Sequence, residues 1–340
     1  MGQLGLFDIE NKLTELSKMG DPLEKLDKAI NWKVFKPVIN KAFRKERKSN
    51  AGRPPFDYLM MFKVLVLQHL YNLSDEQVQY QLLDRLTFRR FIGIGGENII
   101  PDEKTVWLFR ETLVKKGTIT KLFGMFDRYL VEAGFHAKKG MIVDASFVEV
   151  PRQRNTREEN DRIKNGTTPS DWEKNPDKLR QKDLDARWTK KNDQTFYGYK
   201  NHANVDVKHK LIRAYTVTPA NVHDSQEIGN VLDGDNTNQT IWADSAYSAA
   251  EIKEDLQKKQ VKNLIHKKAY RNRPLSDFQQ ERNTAKSRIR ARVEHVFAQL
   301  DRMIGRCIRC IGQRRAAAKI GMMNLVYNMR RFAFLVESHA

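Results

Sequence analysis

Two apolar runs, each carrying one aspartate, constrain this chain more than any other feature. Met141-Ile-Val-Asp-Ala-Ser-Phe-Val-Glu-Val150 follows a basic, Gly-containing turn (Lys138-Lys139-Gly140). β-Branched and apolar residues dominate it, so it reads as a strand. Asp144 stands in its middle, where a lone buried carboxylate is costly unless a divalent cation, a basic partner or a helix end compensates. The simpler alternative is an aspartate at an exposed strand end, accepting from a nearby backbone N–H. Asn238-Gln-Thr-Ile-Trp-Ala-Asp-Ser-Ala-Tyr247 is a second strand of the same kind and ends in Asp244. If the two strands are neighbours, their carboxylates converge at one end of a sheet.

The residues around these strands give the order of elements. Thr195–Val207 and Leu211–Val217 read as a hairpin turning at Lys208-His209-Lys210. Asn221-Val-His-Asp-Ser225 suits a helix cap for 226–233, with capping as the expected role of Asp224 and an approach of His223 and Asp224 to a metal site as the alternative. Ser248 is expected to cap a helix reaching about 259, and Val261–His266 is a further strand. Strand, hairpin, helix, strand, helix, strand predicts an α/β fold with a mixed sheet flanked by helices. A helix over 284–304 follows, with Ile289, Val293, Val296, Leu300 and Met303 forming a buried stripe. Glu294 lies beside that stripe, between the small residues Ala291 and Ala298. Its ordinary role is an ion pair with Arg290, four residues earlier.

Three carboxylates are what two-metal phosphoryl chemistry requires. Hard Mg²⁺ ions take oxygen ligands, and a pair about 4 Å apart activates the attacking oxygen and stabilises the leaving one. The surroundings suit a polyanion. Residues 266–319 hold 15 Lys and Arg against 4 Asp and Glu, an excess of 11, within a chain of formal charge +19.

Residues 151–194 differ in character, with 12 Lys and Arg, 9 Asp and Glu, and few aliphatic residues. They read as a long polar excursion, partly disordered until nucleic acid or another subunit orders it. Trp172 and Trp188 stand out there as platforms for base stacking, or as pins holding the loop to the body.

The first third is all-α. Asp21-Pro22 looks like an N-cap followed by proline at the first helical position. Helices are predicted at about 56–71, 74–92 and 102–133, the second capped by a Ser74/Gln77 capping box and the third by Asp102. The short turn Asn72-Leu-Ser-Asp-Glu76 is compatible with a helix-turn-helix, with Arg85 and Arg89 placed to reach DNA. The basic run Arg44–Lys48 reads equally as a solvated face or a phosphate contact. Cys307-Ile-Arg-Cys310 lacks the second pair of a zinc site and falls in a helical pattern, so a packed, reduced pair is expected. Reduced cysteines, together with Met1–Phe7 lacking the form of a secretory signal, predict a cytoplasmic protein. The most apolar run, Leu59–Leu67, is interrupted by Lys63 and is too short to span a bilayer.

Ile142-Val-Asp-Ala-Ser146, Gly198-Tyr-Lys-Asn-His202, Asn221-Val-His-Asp-Ser225, Ala243-Asp-Ser-Ala-Tyr247 and Arg290-Ala-Arg-Val-Glu294 together resemble the DDE transposases of bacterial insertion sequences. The likeness is greatest to the insertion-sequence-five family and extends from about residue 50 to the C-terminus. It implies an RNase H-like catalytic core with Asp144, Asp244 and Glu294 as the catalytic, metal-binding triad. Two Mg²⁺ ions, replaceable by Mn²⁺, are implied as cofactors. The implied partners are double-stranded DNA (terminal inverted repeats and target) and further copies of the chain, as a homodimer or larger assembly on nucleoid DNA. DNA contacts are implied for Arg288, Arg290, Arg292, Arg302, Lys200, His202 and Tyr247. Related transposases carry a Tyr, an Arg and a Lys around the catalytic Glu. Here Arg290 matches the Arg, Ser287 stands in place of the Tyr, Asp301 in place of the Lys, and Arg302 follows one position on. The expected organisation is a helical arm at 1–50, a helical DNA-binding and dimerisation domain at 51–135, the catalytic domain at 136–320 with the 151–194 insertion, and a C-terminal helix at 321–340. Two other functions remain open: a domesticated DNA-binding regulator and a metal-dependent nuclease.

Overall fold

In a computed structural model, the described residues are 8–44, 54–95, 99–232 and 240–339. The basic run at 45–48 and the first seven residues lie outside them. Two compact units divide the chain: residues 1–133 with 322–340, and residues 134–321. No described helix is long and apolar enough to cross a membrane.

The first unit is helical: α1 (Asp8–Lys18), α2 (Pro22–Ala29), α3 (Lys36–Phe43), α4 (Tyr58–Leu70), α5 (Asp75–Asp84), α6 (Leu86–Ile92), α7 (Glu103–Lys115) and α8 (Thr118–Glu132). α4 is its axis, with Met61, Phe62 and every residue from Val64 to His69 buried. Lys63, which interrupts that apolar run, donates to Asp27 Oδ1 at 2.5 Å and to the Phe91 carbonyl at 2.9 Å. The expected caps form: Asp21 accepts from Leu23 N, Asp102 from Thr105 N, and Ser74 with Gln77 closes a capping box. Two of the expected helices are each broken in two. The first breaks where Arg85 takes an extended conformation, and the second where Gly117 turns left-handed at φ 58°.

The second unit carries β1 (Met141–Glu149), α9 (Arg157–Lys164), α10 (Ser170–Glu173), α11 (Pro176–Arg180), β2 (Arg187–Lys191), β3 (Gln194–Asp206), β4 (Ile212–Pro219), α12 (Ile228–Val231), β5 (Thr240–Trp242), α13 (Ala250–Lys258), β6 (Lys262–Asn263), α14 (Asp277–Arg290) and α15 (Arg292–Ile304). α16 (Gln313–His339) begins in this unit. The sheet runs β2-β3-β1-β5-β6, with β4 also paired to β3. β3 is antiparallel to β1, β2 and β4, whereas β1, β5 and β6 are mutually parallel neighbours. This is the expected mixed sheet flanked by helices, and the N-terminal region is all-helical. Gly140 makes the β1–β5 approach possible: its φ is +91°, and a Cβ there would collide with the Thr240 carbonyl.

The 151–194 excursion is not the disordered stretch that its composition suggests. It folds into α9–α11 and β2 through polar contacts. Thr156 and Glu159 close a capping box, and Glu159 also accepts from the indole N–H of Trp172 at 2.6 Å. Asp183, 2% exposed, accepts from the Tyr199 hydroxyl and from the backbone N–H groups of Asp185, Ala186 and Gly312. Cys307 and Cys310 are free thiols, as expected, yet they follow the end of α15 in non-helical chain rather than in a helix.

Candidate active site

Sheet register brings the two strand aspartates together. Met141 pairs with Ile241 and Ile142 with Trp242. Asp144 and Asp244 each lie two residues beyond that last rung, close enough for the Asp244 charge to act on Asp144. β1 continues past Asp144 because β3 supports it, with Asp144 opposite Ala203. β5 stops at Trp242, and Asp244 instead caps the turn Ser245–Tyr247, its Oδ1 accepting from Ala246 N at 2.8 Å.

Asp144 is 8% exposed. One of its oxygens accepts from Ala145 N at 2.9 Å, the other from the Arg290 guanidinium at 2.6 Å. Burial raises its pKa; Arg290 and the Ala145 bond oppose that shift, and the neighbouring Asp244 charge adds to it. The predicted 284–304 helix is divided at Ala291 into α14 and α15, so Arg290 closes one helix and Glu294 opens the next. The expected stripe is buried at Val293, Val296, Leu300 and Met303. Glu294 Oε1 is 3.9 Å from Arg290 Nη2, and its side chain is largely exposed. Arg290 therefore sits between two acids, bonded to Asp144 and loosely paired with Glu294.

Tyr247, 1% exposed, lies in the field of these groups. Burial first, then the Asp224, Asp144 and Asp244 charges, hold its phenol protonated, and its buried hydroxyl has no hydrogen-bond partner among the described residues. Asp224 is not the expected cap. His223 caps that turn, while Asp224 accepts from the buried Lys200 ammonium at 2.7 Å.

Known proteins give this geometry a context. The model of the transposase DDE domain family matches residues 136–329, a span holding Asp144, Asp244, Arg290 and Glu294. The chain belongs to the transposase DDE domain family. A second model, described as a transposase domain, matches residues 11–112. A solved piggyBac transposase synaptic complex with hairpin DNA matches at 12% identity and TM-score 0.47, covering 94% of this chain and 76% of that one.

Within this transposase, several predicted DNA contacts are interior. Lys200 is spent on Asp224 and the Val222 carbonyl at 2.8 Å. His202, fully buried, meets Thr218 Oγ1 at 2.8 Å, and burial pushes its pKa down to about 4, so it is neutral. With Tyr247 also enclosed, none of the three presents a surface to DNA. Trp172 is likewise buried and offers no stacking face, because the insertion folds around it. Trp188 is 40% exposed, with the Arg152 guanidinium 5.5 Å from its ring. Arg85, Arg288 and Arg302 are exposed. Arg89 and Arg292 are half-buried and each donates to a backbone carbonyl, of Gly95 and Val207 respectively.

The neighbouring carboxylates of Asp144 and Asp244 are the oxygen donors that a hard divalent cation takes, and the Arg290 guanidinium bonded to Asp144 supplies positive charge there instead. Among the described residues, no three His, Cys, Asp or Glu side chains stand close enough to hold a metal ion together. The two aspartates are juxtaposed, and Glu294 stands apart beyond Arg290. The sequence did not reveal Arg290 as the partner of Asp144 or Asp224 as the partner of Lys200. Both pairings join residues far apart in the chain, and only the residue types hinted at them.

Proposed function

We propose that this transposase, of the insertion-sequence-five type, binds the terminal inverted repeats of its element as a dimer or larger assembly. It cuts at the element ends and joins the 3′-OH groups to target DNA, acting in the cytoplasm on the nucleoid. The observation that carries this reading is the register that brings Asp144 near Asp244, with Asp144 bonded to Arg290 at the junction of α14 and α15, where Glu294 follows. Asp144, Asp244 and Glu294 would hold Mg²⁺, or Mn²⁺ in its place. Such ions supply activation of the attacking oxygen and charge neutralisation at the leaving one. Arg290 serves as the resident cation before DNA arrives, then turns from Asp144 towards a phosphate and frees the carboxylate. Arg288 and Arg302 hold the backbone from outside, and the buried Lys200–Asp224 pair keeps the Tyr247 side of the site rigid.

Purified protein incubated with labelled element-end DNA, with and without Mg²⁺, tests this. Metal-dependent nicks at the element boundary and joined products are expected, both lost in Asp144→Asn and Glu294→Gln while DNA binding persists. An Asp144→Asn protein that cuts as the parent does would overturn the assignment. Tight binding with no cleavage under any divalent ion would make the chain a regulator. Cuts that ignore the boundary, with no joining, would make it a nuclease.

A further inference from the structure

α14 is a helix of 14 residues with none buried. Its inner side is pinned to the preceding loop. Asn283 accepts from Lys267 N and donates to the Lys267 carbonyl, both at 3.0 Å, and Lys286 Nζ donates to the Ile265 carbonyl at 2.7 Å. That loop ends in a tight turn in which Tyr270 and Arg273 exchange backbone hydrogen bonds. The turn and the helix each carry a bare ring, Tyr270 at 62% and Phe278 at 65% exposure. The same stretch carries six exposed cations: Lys267, Lys268, Arg271, Arg273, Arg282 and Arg288. The Arg282 guanidinium lies 5.6 Å from the Phe278 ring. The helix's two acids, Asp277 and Glu281, share a shallow groove with Thr284 and Arg288. Crowding of like charge is felt at Lys286, whose pKa is lowered first by burial and then by Arg282 and Lys267.

We infer that Tyr270 and Phe278 form a stacking platform for an unpaired base of the DNA strand led into the catalytic site. The inference rests on the reading of this chain as a DNA-cutting transposase. Tyr270 and Phe278 are the large hydrophobic side chains exposed in this stretch, whose exposed charge is mostly cationic and puts Arg282 against the Phe278 ring. A protein-docking patch is built the other way, with contiguous apolar surface and few lysines. Aromatic faces between phosphate-binding cations are what a single strand or a displaced base requires. The platform also leads somewhere: α14 ends at Arg290, the residue bonded to Asp144. A backbone tracked along the helix thus arrives at the carboxylates.

The test uses the whole protein without divalent metal and two labelled DNAs of one sequence, a perfect duplex and a duplex with one unpaired fluorescent adenine analogue. The parent protein should bind the second more tightly and quench its fluorescence. Phe278→Leu and Tyr270→Leu, which keep apolar volume but remove the π face, should each lose about tenfold on the unpaired-base DNA and little on the duplex. Phe278→Trp should retain both the preference and the quenching. Leu variants with undiminished preference and quenching would overturn the platform, as would a parent protein that does not distinguish the two DNAs. A parent protein that holds neither DNA would sink the DNA reading of the molecule itself, a different result from loss of the preference alone.

Discussion

At the scale of single residues, the site is governed by how a buried carboxylate is neutralised. Asp144 is enclosed beside Asp244, and Arg290 is the cation bonded to it. Removing that cation leaves an uncompensated charge, which costs more than the pair gained by forming. Arg290→Ala should therefore destabilise the second unit by about 2–3 kcal/mol without metal, and Asp144→Asn in the same chain should restore most of it. Urea unfolding of the four proteins of this cycle measures the coupling; additive effects would show that the two side chains do not depend on each other. His202 gives a pH dependence of known sign. Its pKa in the fold is about 4 against an ordinary 6.5, so between those values the unfolded chain binds a proton that the folded chain refuses. Its contribution is complete above the ordinary value and is lost as pH falls towards about 4, by about 3 kcal/mol in all. Unfolding free energies across that range should show this slope, and His202→Gln should flatten it.

At the scale of elements, polar bonds do in the insertion what apolar burial does in the sheet. Asp183 gathers one phenol and three backbone N–H groups. Asp183→Ala would strand those buried donors, at about 3 kcal/mol. Limited proteolysis should then cut within 151–186 much faster, while the Asp183→Asn chain, which keeps an acceptor, should fall between; unchanged proteolysis of Asp183→Ala would show that the insertion is held elsewhere. This also explains what sequence could and could not convey. The strand of Asp144, the hairpin after it and the short strand before Asp244 are legible, because side-chain period and β-branching are local signals. The caps at Asp21, Ser74 and Asp102 were legible for the same reason. The order of the insertion is not legible in its composition: few aliphatics suggest partial disorder, yet a capping box, a buried indole and one carboxylate hold it. The breaks at Arg85, Gly117 and Ala291 were missed, since hydrophobic periodicity runs on through a change of helix axis. Of the site, Asp144 is legible from its strand and Asp244 from the short strand that ends two residues before it. The intervening Arg290, the Lys200–Asp224 pair and the enclosure of His202 depend on tertiary contacts that spacing does not encode.

At the scale of the whole molecule, a formal charge of +19 predicts how DNA affinity responds to salt. Each phosphate neutralised by a Lys or Arg releases condensed counterions, so log K falls linearly with log salt, by about 0.9 per contact on duplex DNA. A surface making six to ten such contacts should lose about a thousandfold or more in affinity between about 50 and 200 mM salt. The slope can then be divided by residue. Arg288 and Arg302 in the second unit and Arg85 in the first are exposed. Substitution of each by Ala should flatten the slope by about one contact if that residue meets a phosphate. Arg90 is the control, because its guanidinium is spent inside the first unit on Asp21, Ser17 and the Leu13 carbonyl. Titrations of one duplex at several salt concentrations, read for Arg85→Ala against Arg288→Ala, decide which unit carries the backbone. A slope reduced by Arg288→Ala and untouched by Arg85→Ala would confine phosphate contact to the catalytic unit and leave the helical unit to assembly. Reduction by both would make the α5–α6 region a second DNA-binding surface, as its helix-turn-helix pattern predicts.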